Sequence, residues 1–144
     1  MIIDSHCHLD YPSLYENLDL VIDRARKKNV LKFLTISTKP ESIEKILLIC
    51  KNYKSVKGTA GIHPHESEKY KNINADYLFN VVKKNQNIIG IGETGLDFYY
   101  NHSDKNSQIT LFKEHIKAAL KLDVPMIVHT RNAEKETYEI LKNE

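Results

Sequence analysis

Five of the seven histidines fall in three short segments, and a fourth segment carries two acids among glycines. In Asp4-Ser5-His6-Cys7-His8 the two rings are two positions apart. In extended backbone such residues point to the same side, so two imidazoles can grip one cation. An isolated pair of this kind also occurs in loops that hold no metal. Gly61-Ile62-His63-Pro64-His65-Glu66 repeats the spacing. It reads either as a polar turn shaped by Pro64 or as a pair that meets a substrate phosphate or supports a metal shell. Gly90-Ile91-Gly92-Glu93-Thr94-Gly95-Leu96-Asp97 looks superficially like a dinucleotide fingerprint. Glu93, however, would stand where a pyrophosphate should rest. A carboxylate with two oxygens is better read as a bridge between two hard cations. Asp97 either orients a neighbour or caps the next segment. His129 ends an apolar run and reads either as a ligand or as a hydrogen-bonded histidine at a strand terminus, and Arg131 forks onto a phosphate or pairs with a carboxylate.

The remaining candidates read as structural. His102 is expected in a loop and His115 on a helix surface. Cys7 should point away from the face that His6 and His8 share, into packing, although zinc can accept a thiolate. Cys50 lies on an apolar helix stripe.

The elements that must position these groups alternate. Ile2-Ile3 predicts a strand, and Leu14, Leu18, Val21, Ile22 and Ala25 recur at helical spacing. Further strands are predicted over Val30–Ile36, Val56–Ile62, Ile88–Ile91 and Val124–Val128. Ile43, Ile46, Leu47 and Cys50 mark one helix, and Thr38 with Glu41 has the spacing of a capping box before it. Tyr77, Leu78, Val81 and Val82 mark another, and Ile109, Phe112, Ile116 and Leu120 a longer one. Asn132 is placed to cap a last helix carrying Ile140 and Leu141. Five strand-helix units in one α/β domain over residues 1–144 imply a parallel sheet covered by helices. A doubly wound sheet and part of a (β/α)8 barrel both fit. The histidines and acids then cluster just after the strands, where parallel sheets build active sites.

Composition narrows the function. Of 144 residues, 41% are hydrophobic and 28% charged, as in one globular domain with a core. A net charge of +2 does not mark a nucleic-acid protein, and nucleic acid, if bound, is expected at a local site and not on a broad cationic face. Two cysteines without a paired motif suit a reducing compartment. With no visible signal peptide and no run of about 20 apolar residues, a cytoplasmic protein that spans no membrane is expected.

Taken together, Met1 to Asp10, Gly61 to Glu66, Gly90 to Tyr100 and Pro125 to Ala133 resemble the TatD family of metal-dependent hydrolases in order and separation. The most specific stretch is Gly-Ile-Gly-Glu-Thr-Gly-Leu-Asp-Phe-Tyr. The resemblance implies a (β/α)8 barrel with one or two divalent ions (Mg, Mn or Zn). It implies hydrolysis of DNA phosphodiesters by metal-activated water, often as a 3′-to-5′ exonuclease, on a single strand or an end. His6 and His8 would bind one ion, His129 a second, and Glu93, the catalytic carboxylate, would bridge them. His63, His65 and Arg131 would line the substrate pocket. The alternatives are the same chemistry on another ester or amide, such as a D-aminoacyl-tRNA or a small cyclic amide, and an inactive fragment serving as a binding module. Asn132 stands where the family often has an acid.

A full barrel takes about 250 residues. The family resemblance adds later strands with another ligand histidine and a late Asp. The chain is therefore expected to be the front part of a barrel, a fragment or a shortened gene product with little turnover. Its exposed strand edges would favour self-association.

Overall fold

The computed structural model describes residues 1–144. The strands are β1 (Ile2–Cys7), β2 (Val30–Thr35), β3 (Val56–Ala60), β4 (Ile88–Asp97) and β5 (Met126–Arg131). Between and after them run α1 (Pro12–Tyr15), α2 (Leu18–Lys27), α3 (Pro40–Asn52), α4 (Ala75–Lys84), α5 (Lys105–Leu122) and α6 (Glu134–Asn143). A single 3-10 turn covers Pro64–Glu66.

All five strands are parallel and lie side by side in chain order. A doubly wound sheet reverses its order partway; this one does not. Right-handed crossovers then put every helix on one face, which is the arrangement of part of a (β/α)8 barrel. β1 and β5 each keep one edge without a partner strand. No helix is long and apolar enough to cross a membrane.

The helices are fixed by apolar stripes and local caps. Ile43, Ile46 and Ile49 of α3 and Leu78 and Val82 of α4 pack on Phe33, Val56, Ile88 and Ile91 of the sheet. Each such buried side chain contributes about 1.5–3 kcal/mol relative to exposure. A smaller cluster of Leu96, Phe112, Ile116 and Ala133 lies between β4, α5 and the start of α6. The side chain of Asn74 accepts from Tyr77 N–H to cap α4, and Asp104 accepts from Ser107 N–H to cap α5.

Several boundaries differ from the sequence reading. β4 runs on to Asp97 instead of ending at Ile91, so Glu93 lies within the strand and not after it. Gly92, at a φ of 124°, allows this: the register with β5 shifts between Ile91 and Thr94, and pairing then resumes. His6 and His129 likewise lie inside β1 and β5. β3 ends at Ala60, and β5 starts at Met126. The helical pattern from Leu14 to Ala25 is split between α1 and α2, with Asn17 as the break. Thr38 does not cap α3. Pro40 at the first helical position makes Lys39 the cap, and Thr38 Oγ1 bonds Ser42 Oγ instead. Asn132 does not cap α6 either; it is left-handed at a φ of 51°, and Ala133 is the cap.

Gly61 marks a close approach. A Cβ there would meet the backbone of Gly92 well inside van der Waals contact. Gly61→Ala is expected to lower stability by about 1–3 kcal/mol, measured by urea unfolding. An unchanged midpoint would show that β3 and β4 do not meet as described.

Candidate active site

Glu93 is the centre of the arrangement, only 8% exposed. Its backbone N–H donates to Ser37 O (2.8 Å). Ser37 in turn donates its N–H to Thr59 Oγ1 (3.1 Å) and its hydroxyl to Gly61 O (2.8 Å). Thr59 Oγ1 donates to Gly92 O. The Gly92–Glu93 peptide is cis. These bonds tie β2, β3 and β4 together around one carboxylate.

Four imidazoles surround that carboxylate, and no lysine or arginine pairs with it. Oε2 faces His6 Nε2 at 3.3 Å and His8 Nε2 at 3.9 Å. Oε1 faces His129 Nδ1 at 3.3 Å and His63 Nε2 at 4.0 Å. Two ligand atoms, each about 2.1 Å from one ion, stand roughly 3 to 4 Å apart. The nitrogens are therefore spaced to share a cation with Glu93, in two groups: His6, His8, Glu93 and His63, Glu93, His129.

Hydrogen bonds to the far ring nitrogens separate these histidines. His8 Nδ1–H donates to Ile36 O (3.0 Å), leaving the Nε2 lone pair toward Glu93. The protonated His129 ring donates from Nδ1 to Glu93 Oε1 (3.3 Å) and from Nε2 to Asp97 Oδ2 (3.0 Å); in the neutral ring Asp97 keeps the proton on Nε2, leaving the Nδ1 lone pair toward Glu93. Such outer partners fix the tautomer of a ligand histidine. His63 is wired the opposite way: its Nδ1 accepts from His65 N–H (3.2 Å), so Nε2 carries the ring proton and faces Glu93 as a donor. His65 Nε2–H donates to Asp97 Oδ2 at 2.8 Å.

The electrostatics follow. Burial pushes the Glu93 carboxyl up, but the His129 hydrogen bond and the nearby imidazoles outweigh it and hold Glu93 below its usual range. The bond to Glu93 raises His129, with Asp97 adding to it, against burial. Burial lowers His63 to about 4, so its ring is neutral above that pH. Burial also raises Cys7 to about 12. That thiol donates to Leu34 O and packs against the core, away from the histidine cluster. Cys50 is buried in the same core.

These groups line a cavity of about 700 Å³ that also takes in Asp10, Tyr11, Lys39, Ser42 and Lys45. Asp10 Oδ1 is buried with no hydrogen-bond partner. His6, His8, His63, His65, Glu93 and His129 all reach this cavity. Arg131 does not line it. Its guanidinium lies 5.2 Å from the ring centre of Tyr100 and 5.7 Å from that of Tyr99, beside the site. His102 is an exposed loop residue whose ring stacks on Tyr100.

His115 is not on the surface but fully buried, because it continues the inward stripe of Gln108, Leu111 and Phe112 on α5. Its Nδ1–H donates to Leu111 O (2.7 Å), and its Nε2 accepts from Ile62 N–H (3.0 Å), bracing the residue before His63. Gln108 was also missed. It accepts from Asp97 N–H (2.8 Å) and donates to Asp97 O (3.1 Å) and Ser103 O (2.9 Å). The helical spacing 108, 112, 115, 119 was the available signal for both.

Burial lowers His115 to about 4 from an ordinary 6.5. Between these values the unfolded chain binds the extra proton, so stability rises with pH and is lost as pH falls toward about 4. The loss assigned to His115 is roughly 3 kcal/mol. Denaturant unfolding at pH 7 and at pH 4.5 should show it. In His115→Gln the acid loss shrinks by that amount, while stability at pH 7 drops. An acid loss equal to wild type in that variant would remove the assignment.

The family model described as TatD related DNase matches residues 3–144. A protein named uncharacterized metal-dependent hydrolase from Buchnera aphidicola subsp. Baizongia pistaciae is 39% identical over 99% of this chain and 54% of its own length. The mouse protein named putative deoxyribonuclease TATDN3 is 28% identical over 99% of this chain and 53% of its own length. Among solved structures, the Escherichia coli TatD homologue YjjV superposes with a TM-score of 0.91 at 27% identity, over 98% of this chain and 55% of YjjV. The chain spans about half the length of the curated relatives it matches.

Proposed function

The chain belongs to the TatD family, and from that premise we propose that its site serves divalent-metal-dependent hydrolysis of DNA phosphodiesters, of the 3′-to-5′ exonuclease type. The single observation that carries the reading is the sharing of Glu93 between two ligand groups, one oxygen to each. His6 and His8 would hold one ion with Glu93, and His129 would hold a second. A bound divalent ion (Mg, Mn or Zn) would supply acidification of the attacking water and neutralisation of charge on the phosphoryl oxygens. His63, with its ring proton on Nε2, is wired to donate to a phosphoryl oxygen. His65 is held by Asp97 and would meet the substrate, and Arg131, beside the cavity, would fork onto a phosphate. The name of the mouse relative favours a DNA substrate.

The test has two arms. Manganese or zinc titrated into the chain by calorimetry should bind, and single-stranded DNA offered with magnesium should be cut in preference to a D-aminoacyl-tRNA. Preference for the ester would move the substrate to the alternative class. Absence of metal binding would end the reading. We also propose that the unpaired edges of β1 and β5 lead the chain to self-associate; a strictly monomeric mass by light scattering would exclude it.

A further inference from the structure

A second cavity, about 350 Å³ in volume, is lined by Tyr99, Tyr100, Arg131 and Asn132. It adjoins the first through His65, whose ring centre lies 5.5 Å from that of Tyr100. Tyr99 and Tyr100 are 59% and 41% exposed and stand edge to face, 4.7 Å apart. The main chain that carries both rings is anchored. The backbone N–H groups of Tyr99 and Tyr100 both donate to Asp97 Oδ1, at 3.1 and 3.0 Å. Ser103 Oγ closes the same loop by donating to His65 O at 2.8 Å. Neither tyrosine hydroxyl is held by another protein group. Arg131 has no carboxylate partner, and its charge lies against the two rings.

We infer that Tyr99, Tyr100 and Arg131 form a shelf for one unpaired nucleotide of a DNA strand, the open tyrosine ring stacking on the base and the guanidinium taking its phosphate. The inference rests on the nucleic-acid reading above and deepens it. Aromatic rings paired with a local cation are how single strands are gripped without a broad basic face, because every base offers a π surface. A net charge of +2 leaves the chain dependent on such a local grip. Anchoring the loop beforehand removes part of the ordering cost of binding.

The test compares two labelled probes in EDTA, so that no hydrolysis occurs: a ten-residue thymidine strand and an abasic strand with the same phosphates. Fluorescence anisotropy of the chain with each gives a ratio of affinities. The base-bearing strand should bind about tenfold tighter or more. The ratio should fall to near one in the double variant Tyr99→Leu, Tyr100→Leu, and survive in Tyr99→Phe, Tyr100→Phe, which keeps the rings. Arg131→Ala should weaken both probes alike and reduce the salt slope by about 0.7. Equal binding of the two probes by the wild type, or a ratio that persists without the rings, overturns the shelf while leaving the nucleic-acid reading intact. Failure of both strands to bind overturns both.

Discussion

Glu93→Gln is expected to lower divalent-metal affinity by at least about a hundredfold, above the 10–100-fold cost of losing a mere supporting partner. The reason is the division of labour between the two oxygens. Oε2 serves His6 and His8, and Oε1 serves His63 and His129. Glutamine keeps the volume but offers one neutral oxygen, and its NH2 must face one pair of imidazoles. One group loses its anionic ligand outright, and the other keeps only a weaker carbonyl. Glu93 is the one carboxylate in each group. Calorimetric titration with manganese reads the affinity directly. Thermal unfolding reads it a second way: metal at 100 times the wild-type Kd should stabilise the wild type by about 2.7 kcal/mol, and the variant by about 0.4 kcal/mol or less. Whatever cleavage of single-stranded DNA the chain supports should vanish as well. A companion effect separates lost ligation from lost folding. The bond to Glu93 is the main reason His129 is raised, so the ring in the variant should titrate lower, as followed by NMR. Wild-type metal affinity in Glu93→Gln would dismantle the shared-carboxylate site.

The sequence carried the five-unit rhythm because strand and helix differ in apolar period. Ile43, Ile46 and Cys50 could be a stripe only on a helix, and Val30 to Ile36 could be apolar throughout only in a buried strand. Strand order was not legible, since crossover direction leaves no local mark; the two architectures parted only when β1 to β5 proved to lie in chain order. Glu93 could be singled out because an acid among glycines is chemically odd. Its place inside β4 was hidden, since Gly92 reads as a strand breaker until the register shift is known. Thr38 and Asn132 misled for a common reason: capping depends on where the first helical turn begins, and Pro40 and Ala133 moved that point. Asp97 was seen as an orienter of some neighbour. That its neighbours are His65 and His129, from two other segments, follows only from the curvature that joins β3, β4 and β5.

Asp97→Asn should act through His129. Asp97 is fully buried and every acceptor position is used: Oδ1 takes the N–H groups of Tyr99 and Tyr100, and Oδ2 takes the ring N–H of His65 and of His129. Burial raises its carboxyl, yet these bonds prevail and bring it down to about 2. Asparagine cannot reproduce the pattern. If its oxygen stays with the backbone donors, its NH2 confronts the Nε2 atoms of His65 and His129 and is satisfied only where a ring proton leaves Nε2; turned the other way, it leaves the N–H groups of Tyr99 and Tyr100 without an acceptor, at a cost of about 1–3 kcal/mol each. With the carboxylate gone, Glu93 is the strongest remaining acceptor for the His129 proton, so the proton moves from Nε2 to Nδ1. Nδ1 is the atom that faces Glu93 and would hold the ion. Metal affinity should therefore fall about 10–100-fold, less than in Glu93→Gln, and the 15N spectrum of His129, at a pH where the ring is neutral, should change from the Nε2–H to the Nδ1–H form. Loss of stability alone would leave that tautomer untouched. A variant that loses affinity while His129 keeps its proton on Nε2 would show that Asp97 supports the loop and does not set the ligand.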